Sequence, residues 1–370
     1  MPEAAGGQAA AVVVERNNSL DGVRAIAVLL VMGVHVGFPL LQVGWLGVDI
    51  FFVVSGFLIT TLLCNEYARH RRISLPKFWA RRFLRLMPIY WLYVGALTAA
   101  MLLGPADHLH TLGGWTPHEY ILALWFYFVN LAPSGGIWTH QALALHLWSL
   151  AVEEQFYFLW PPLCVVLLRL RRPWLVGLLL VGLVLWFRQG AGPVEMKSTL
   201  PTRGIGIIIG STLALYLRDR PARALGWFAS PKLRWTAVCL TAASYLVLAL
   251  LAVGRRMDEA QVHRVALPWL CLLFAWVVGM LWYGPFDTLA RILSWPPLAY
   301  VGRISYGIYL YHMVAQRLVW GLLLRNIETW PRIPKYALRC GLYLGITLAL
   351  ALVSYNLIER RFLRIKERLR

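Results

Sequence analysis

Long apolar runs recur along the chain from residue 20 almost to its end, and the short segments between them hold most of the charge. A bilayer core takes about twenty apolar residues in helical form. The runs therefore predict spanning helices at 20–38, 45–64, 86–103, 148–168, 174–187, 205–217, 235–253, 265–282, 301–324 and 336–358. The fifth and sixth are short, so the count is about ten. A further apolar piece, 120–130, is too short to cross and is expected to lie at the interface. The predicted fold class is all-α, a polytopic transmembrane helical bundle. It divides into an N-terminal tail 1–18, a membrane domain 19–359 and a basic tail 360–370.

Composition strengthens this reading, because 59% of the 370 residues are hydrophobic and only 14% are charged, against about 25% charged in soluble domains. The net charge of +19 would suit nucleic acid, since basic surfaces bind phosphate backbones. Its placement argues against that partner. The basic residues sit between apolar runs, where they set orientation and meet anionic membrane lipids, with some left to hold an anionic cofactor. With an even number of spans the termini share one side. That side collects Arg69, Arg71, Arg72 and Lys77, then Arg169, Arg171 and Arg172, then Arg218 and Arg220, whereas 105–146 has no Lys or Arg. Both termini are therefore expected in the cytoplasm, and the protein in the cytoplasmic (inner) membrane.

The five cysteines are scattered without metal or redox spacing and read as packing residues, with no metal expected. The first fifteen residues lack a basic start and a long apolar run, so no cleaved leader is expected. No internal repeat is visible, which weighs against the repeated halves of many transporters.

An ionisable group inside a membrane helix costs a few kcal/mol and needs a reason. The first span carries Arg24 and His35. Their spacing is almost three whole helical turns, which places both side chains on one face about 16 Å apart along the axis. Such a face suits a long anionic ligand with its reactive end at His35; the bland reading is an arginine at the headgroups and a satisfied core histidine. Arg81, Arg82 and Arg85 form a second cluster. Ser74 can cap its helix, Pro76 suits the first turn, and Arg81 and Arg85 share a face. Phe78, Trp79 and Phe83 would hold that helix at the cytoplasmic interface. Arginine's planar fork suits phosphates, and anionic lipid is the alternative partner. Glu153 and Glu154 open an apolar helix and diverge by about 100°, so they cannot share one role. Asp49, Ser55, Trp148, Tyr306 and His312 are the remaining candidates, as substrate contacts; Asp49 can equally cap its span.

At these residues the chain resembles the bacterial membrane acyltransferase-3 family of O-acyltransferases. The resemblance rests on SLDGVRAIAVLLVMGVH over 19–35, GVDIFFVVSGFLIT over 47–60, the arginine block over 81–88, WSLAVEEQFYFLWP over 148–161 and SYGIYLYH over 305–312. It departs at Tyr311, where the family often has Trp, and at Arg361, where Pro is common. The resemblance implies an acyl-CoA donor, by default acetyl-CoA, used from the cytoplasm, and a carbohydrate or glycoconjugate hydroxyl on the far side. It also implies functional roles for Arg24, His35, Arg81, Arg82 and Arg85. The short tail after the last span implies that the hydrolase-like domain fused to some members would be replaced by a separate extracytoplasmic transferase.

The expected chemistry is direct transfer. His35, with an ordinary pKa of about 6.5, acts as general base on the acceptor hydroxyl, and Glu153 or Glu154 orients the imidazole or the sugar. Covalent capture on His35 is the other route. The rival reading from another class is a transporter, with Arg24, His35 and the glutamate pair lining a substrate or proton path.

Overall fold

The computed structural model describes residues 17–36, 39–103, 115–131, 143–144, 146–192, 198–219, 226–254, 261–285, 287–323 and 331–368. Of the expected tail 1–18, all but the last two residues lies outside these. The described chain is all-α. Its main helices are α1 (Asn18–Val34), α2 (Leu46–His70), α3 (Leu75–Leu103), α4 (Pro117–Trp125), α5 (Leu147–Leu167), α6 (Pro173–Gly190), α7 (Ile205–Asp219), α8 (Pro231–Val253), α9 (Leu267–Tyr283), α10 (Pro296–Arg303), α11 (Ser305–Arg317), α12 (Arg332–Ser354) and α13 (Arg360–Glu367).

Among the described residues seven stretches are long and apolar enough to cross a membrane: α2, α3, α5, α6, α8, α9 with its leading π turn, and Ile333–Glu367. The remaining predicted spans are the shorter helices α1, α7 and α11, of 17, 15 and 13 residues. The apolar piece at 120–130 is the nine-residue helix α4 followed by a single 3₁₀ turn, Val129–Leu131. It does more than skim a surface. Tyr120 and Asn130 are buried, and Tyr127 stacks on Tyr90 at 4.0 Å.

The most enclosed of the seven is α2, whose apolar run continues around the whole helix and leaves no face that prefers water. It packs chiefly on α7, and small residues permit the approach. A Cβ at Gly56 would meet the Ile207 carbonyl oxygen at 2.0 Å, and one at Gly210 would meet that of Val53 at 2.2 Å. Together α1 and α2 form a wall between two apolar clusters. Val28, Val31 and Phe52 join α3, α5 and α11 on one side. Leu20, Ala27 and Val53 join α7 and α9 on the other. Pro88 in α3 and Pro161 and Pro162 in α5 sit inside helices, as membrane helices tolerate when neighbours satisfy the freed carbonyls.

Two expectations need correction. Phe78 is not an interfacial anchor but is 3% exposed and part of the core, because α3 turns that side toward α2 and α5. Cys64, Cys164 and Cys271 are buried packing residues, but Cys239 is exposed, since α8 is the least enclosed of the seven.

Candidate functional site

The ends of α1, α2, α3, α11 and α13 surround a cavity of about 1350 Å³. Its rim is built by a tight α2–α3 turn that Glu66 fastens: the carboxylate accepts the Ser74 backbone N–H at 2.7 Å and pairs with Arg81 at 3.4 Å. Ser74 therefore precedes α3 as expected, with its backbone held from α2. From this turn α3 presents Arg81, Arg82 and Arg85 to the cavity. The Arg82 guanidinium lies 5.7 Å from the Phe78 ring and 5.1 Å from the Tyr157 ring. The expected basic tail is helical and packs on α3, which brings Arg360, Arg364 and Lys366 to the same rim. Among the described residues eleven Arg or Lys side chains line the cavity against five Asp or Glu, so it attracts anions.

Deeper in, α1 contributes Arg24, whose guanidinium stands 6.0 Å from the Phe51 ring. Opposite it, Glu153 accepts hydrogen bonds from Ser55 and Tyr157, whose hydroxyl oxygens lie 3.1 Å from each other. Glu153 lines the cavity and Glu154 does not. The helical turn of about 100° between them directs Glu154 toward Arg82, Tyr90 and Tyr306. Tyr306 lines the cavity and donates to the Leu86 carbonyl at 3.2 Å. Two buried acceptors on this wall have no partner among the described residues, Ser305 Oγ and Glu359 Oε1. Arg85 and Arg24 are the arginines that act on Glu359 through space.

The cavity ends on Ser149 and Tyr309, whose hydroxyls are 2.6 Å apart and lie 3.0 and 3.1 Å from the His146 carbonyl. Behind them three imidazoles cluster. His312 lies 4.9 Å from His146 and 5.1 Å from His35, centroid to centroid. His35 follows the last residue of α1, and its carbonyl accepts from Gln316 at 3.4 Å. Arg24 and the arginine block thus share one cavity, and that cavity stops at Tyr309, with the His312 ring between it and His35.

Asp49 and Trp148 stand outside this cavity. The Asp49 carboxylate is bidentate with Arg203 at 2.6 and 2.8 Å, and both residues are almost wholly buried. The Arg203 guanidinium lies 5.2 Å from Trp45 and 5.4 Å from Trp148. Nearby, Arg188 donates to the carbonyls of Thr202 and His263. Both residues therefore serve an interior ion-pair cluster. Sequence reasoning missed Glu66, Tyr157, Glu359, His146 and the Asp49 partner Arg203. The signal for Arg203 was present, an arginine between two apolar runs; nothing local marked the others.

The profile of a family described as "Acyltransferase domain" (acyltransferase-3) matches residues 17–355, most of the chain. The chain is 32% identical over 305 residues to a putative peptidoglycan O-acetyltransferase, YrhL, of Bacillus subtilis, covering 79% of this chain and 47% of that protein. It is 31% identical over 312 residues to the peptidoglycan O-acetyltransferase OatA of Listeria monocytogenes, covering 80% and 48%. A putative O-acetyltransferase of Staphylococcus aureus is 28% identical over 362 residues, with 93% and 56% covered. The chain spans about half the length of the curated relatives it matches. No solved structure matches it. A helical membrane fold, a basic cavity leading toward buried imidazoles, and a family profile that covers most of the residues forming both place this multi-pass membrane protein in the acyltransferase-3 family.

Proposed function

We propose that this chain is a membrane O-acyltransferase that moves an acetyl group from cytoplasmic acetyl-CoA to a hydroxyl of an envelope carbohydrate. Peptidoglycan, named for its relatives, is the first acceptor to test. The observation that carries this reading is the cavity: basic at its rim, lined by Arg24 and Glu153, and reaching two hydroxyls that screen a group of histidines. In this reading both termini are cytoplasmic, the shorter helices α1, α7 and α11 complete about ten crossings, and the membrane is the inner one.

The residues present fit an acyl-CoA donor. Arg81, Arg82 and Arg85 can take its phosphates with bidentate forks. The unpartnered Ser305 Oγ and Glu359 Oε1 offer hydrogen bonds to the polar groups of its arm. The thioester end then comes to rest near Ser149 and Tyr309. His35 takes the proton of the acceptor hydroxyl as that oxygen attacks the thioester carbon, and later returns a proton to the departing thiolate. For the two to meet, Tyr309 has to leave its bond with Ser149 and the His312 ring, which lies between Tyr309 and His35, has to shift with it. Glu153, held by Ser55 and Tyr157, orients the groups on the cavity side, and the structure of the reaction asks nothing of Glu154.

The test is the purified chain in vesicles with acetyl-labelled CoA and muropeptides. Free CoA thiol and labelled glycan are expected together, and His35→Ala should slow both by about 10² to 10⁴ while the fold survives. Label that crosses the vesicle without a new covalent bond would establish the transporter reading instead. Near-normal turnover in His35→Ala would remove His35 from the chemistry.

A further inference from the structure

The histidines behind the cavity differ in what holds them. His312 Nδ1 faces the Tyr309 carbonyl oxygen, and His146 Nε2 faces the Leu310 carbonyl oxygen at 3.1 Å. A carbonyl only accepts, so each of these ring nitrogens must carry the proton. The backbone thereby selects one tautomer at each position. In the neutral imidazole the other nitrogen is then a bare lone pair. Those other nitrogens, His312 Nε2 and His146 Nδ1, are buried and have no hydrogen-bond partner among the described residues. Both residues are nearly or fully buried, His312 completely.

An unpaired buried acceptor costs about 1–3 kcal/mol, so it calls for a donor. Among the described residues no three His, Cys, Asp or Glu side chains are disposed to hold a metal ion. The aromatic neighbours of the His312 ring are His35 at 5.1 Å, His146 at 4.9 Å and Tyr309 at 5.4 Å. The Tyr309 hydroxyl is already committed to Ser149 and the His146 carbonyl. The proton-bearing nitrogen of His146 is committed to Leu310. That leaves His35, which also has an N–H to place in its neutral form.

We propose that His312 is a positioning residue for His35, accepting one imidazole N–H of His35 on its Nε2 through one water. The Tyr309 carbonyl fixes the His312 tautomer, His312 fixes that of His35, and the other nitrogen of His35 is left as the lone pair that takes the hydroxyl proton. The same contact steadies the second N–H when His35 becomes an imidazolium. It is the role a carboxylate plays behind the histidine of a serine-protease triad, filled here by a second imidazole that needs no buried charge. This inference rests on His35 being the general base.

Asparagine and glutamine separate the two nitrogens of His312. His312→Asn keeps a donor for the Tyr309 carbonyl and loses the acceptor; His312→Gln restores an oxygen near the Nε2 position. By analogy with partners that orient a ligating or catalytic His, His312→Asn should lower kcat by about 10- to 100-fold with the KM for acetyl-CoA little changed. His312→Gln should recover much of that loss. Equal losses in the two variants, or a loss carried by KM, would mean a packing role and overturn the proposal. A second measurement needs no variant: ¹⁵N spectra of the histidine-labelled wild-type chain should show His312 protonated on Nδ1 alone. Protonation on Nε2 would sink the idea. His35→Ala separates the two layers. If it stays active, the general-base reading fails; if it is inactive while His312→Asn turns over normally, only the positioning role fails.

Discussion

The arginines of this chain meet carboxylates in two different settings. At the cavity rim Arg81 and Glu66 are 3.4 Å apart and each side chain is more than a fifth exposed. In the interior Arg203 and Asp49 form a bidentate pair at 2.6 and 2.8 Å with almost no exposure, between the rings of Trp45 and Trp148. The rim pair is screened by water and adds little, while the interior pair cannot lose one member without stranding a charge. The rim arginine, to which the proposed function assigns a ligand, is kept wet and loosely paired. Arginine that holds helices together is dried and fully engaged. Function and architecture thus draw on the same side chain and differ in its desolvation.

The largest effect should come from breaking the interior pair. Asp49→Asn leaves Arg203 with an uncompensated charge and should destabilise the fold by about 3–5 kcal/mol, read as a lowered thermal midpoint in detergent. The double replacement Asp49→Leu with Arg203→Met should recover most of it. A single variant as stable as the wild type would abolish the contrast between the regions.

Next in size is Arg85→Gln, in the cavity. Loss of a charge-assisted contact of about 1.5–3 kcal/mol should weaken acetyl-CoA binding roughly 10- to 150-fold and slow turnover less. Unchanged affinity with slower chemistry would contradict the placement of the phosphates.

Smaller still is Arg364→Gln on α13, an exposed residue of the rim. A few-fold loss of affinity is expected, and it should shrink as salt rises through about 0.1–1 M, because exposed charges are screened over that range. A loss that persists at high salt would mean direct, desolvated contact. The smallest effect should be Glu66→Gln, within about 1 kcal/mol of wild-type stability. A drop comparable to that of Asp49→Asn would show that the rim turn is structural after all.

Much of this molecule could be read along the chain. Each long apolar run predicted a helix that the described chain has, because an uninterrupted run near twenty residues has one stable solution in a bilayer; the short helix α10 and the basic helix α13 were not among them. Arg24 and the arginine block were legible as charges that a membrane helix must justify, and they do share one cavity. The pairing of Asp49 was not legible, since its partner is 154 positions away. Glu153 and Glu154 looked equivalent until α5 was placed against α2, where only Glu153 meets Ser55. His146 carried no local mark, and its meaning comes from the Leu310 carbonyl on α11 and the ring of His312.

The order of apolar and charged residues by itself determined that this chain is a helical membrane protein with a basic side, because burial of backbone polar groups and the cost of charge in lipid act on each segment alone. Which arginines stay wet, which carboxylate faces the cavity, and which imidazole nitrogen is left bare were decided only by packing, because each depends on a group that another helix brings within a few ångströms.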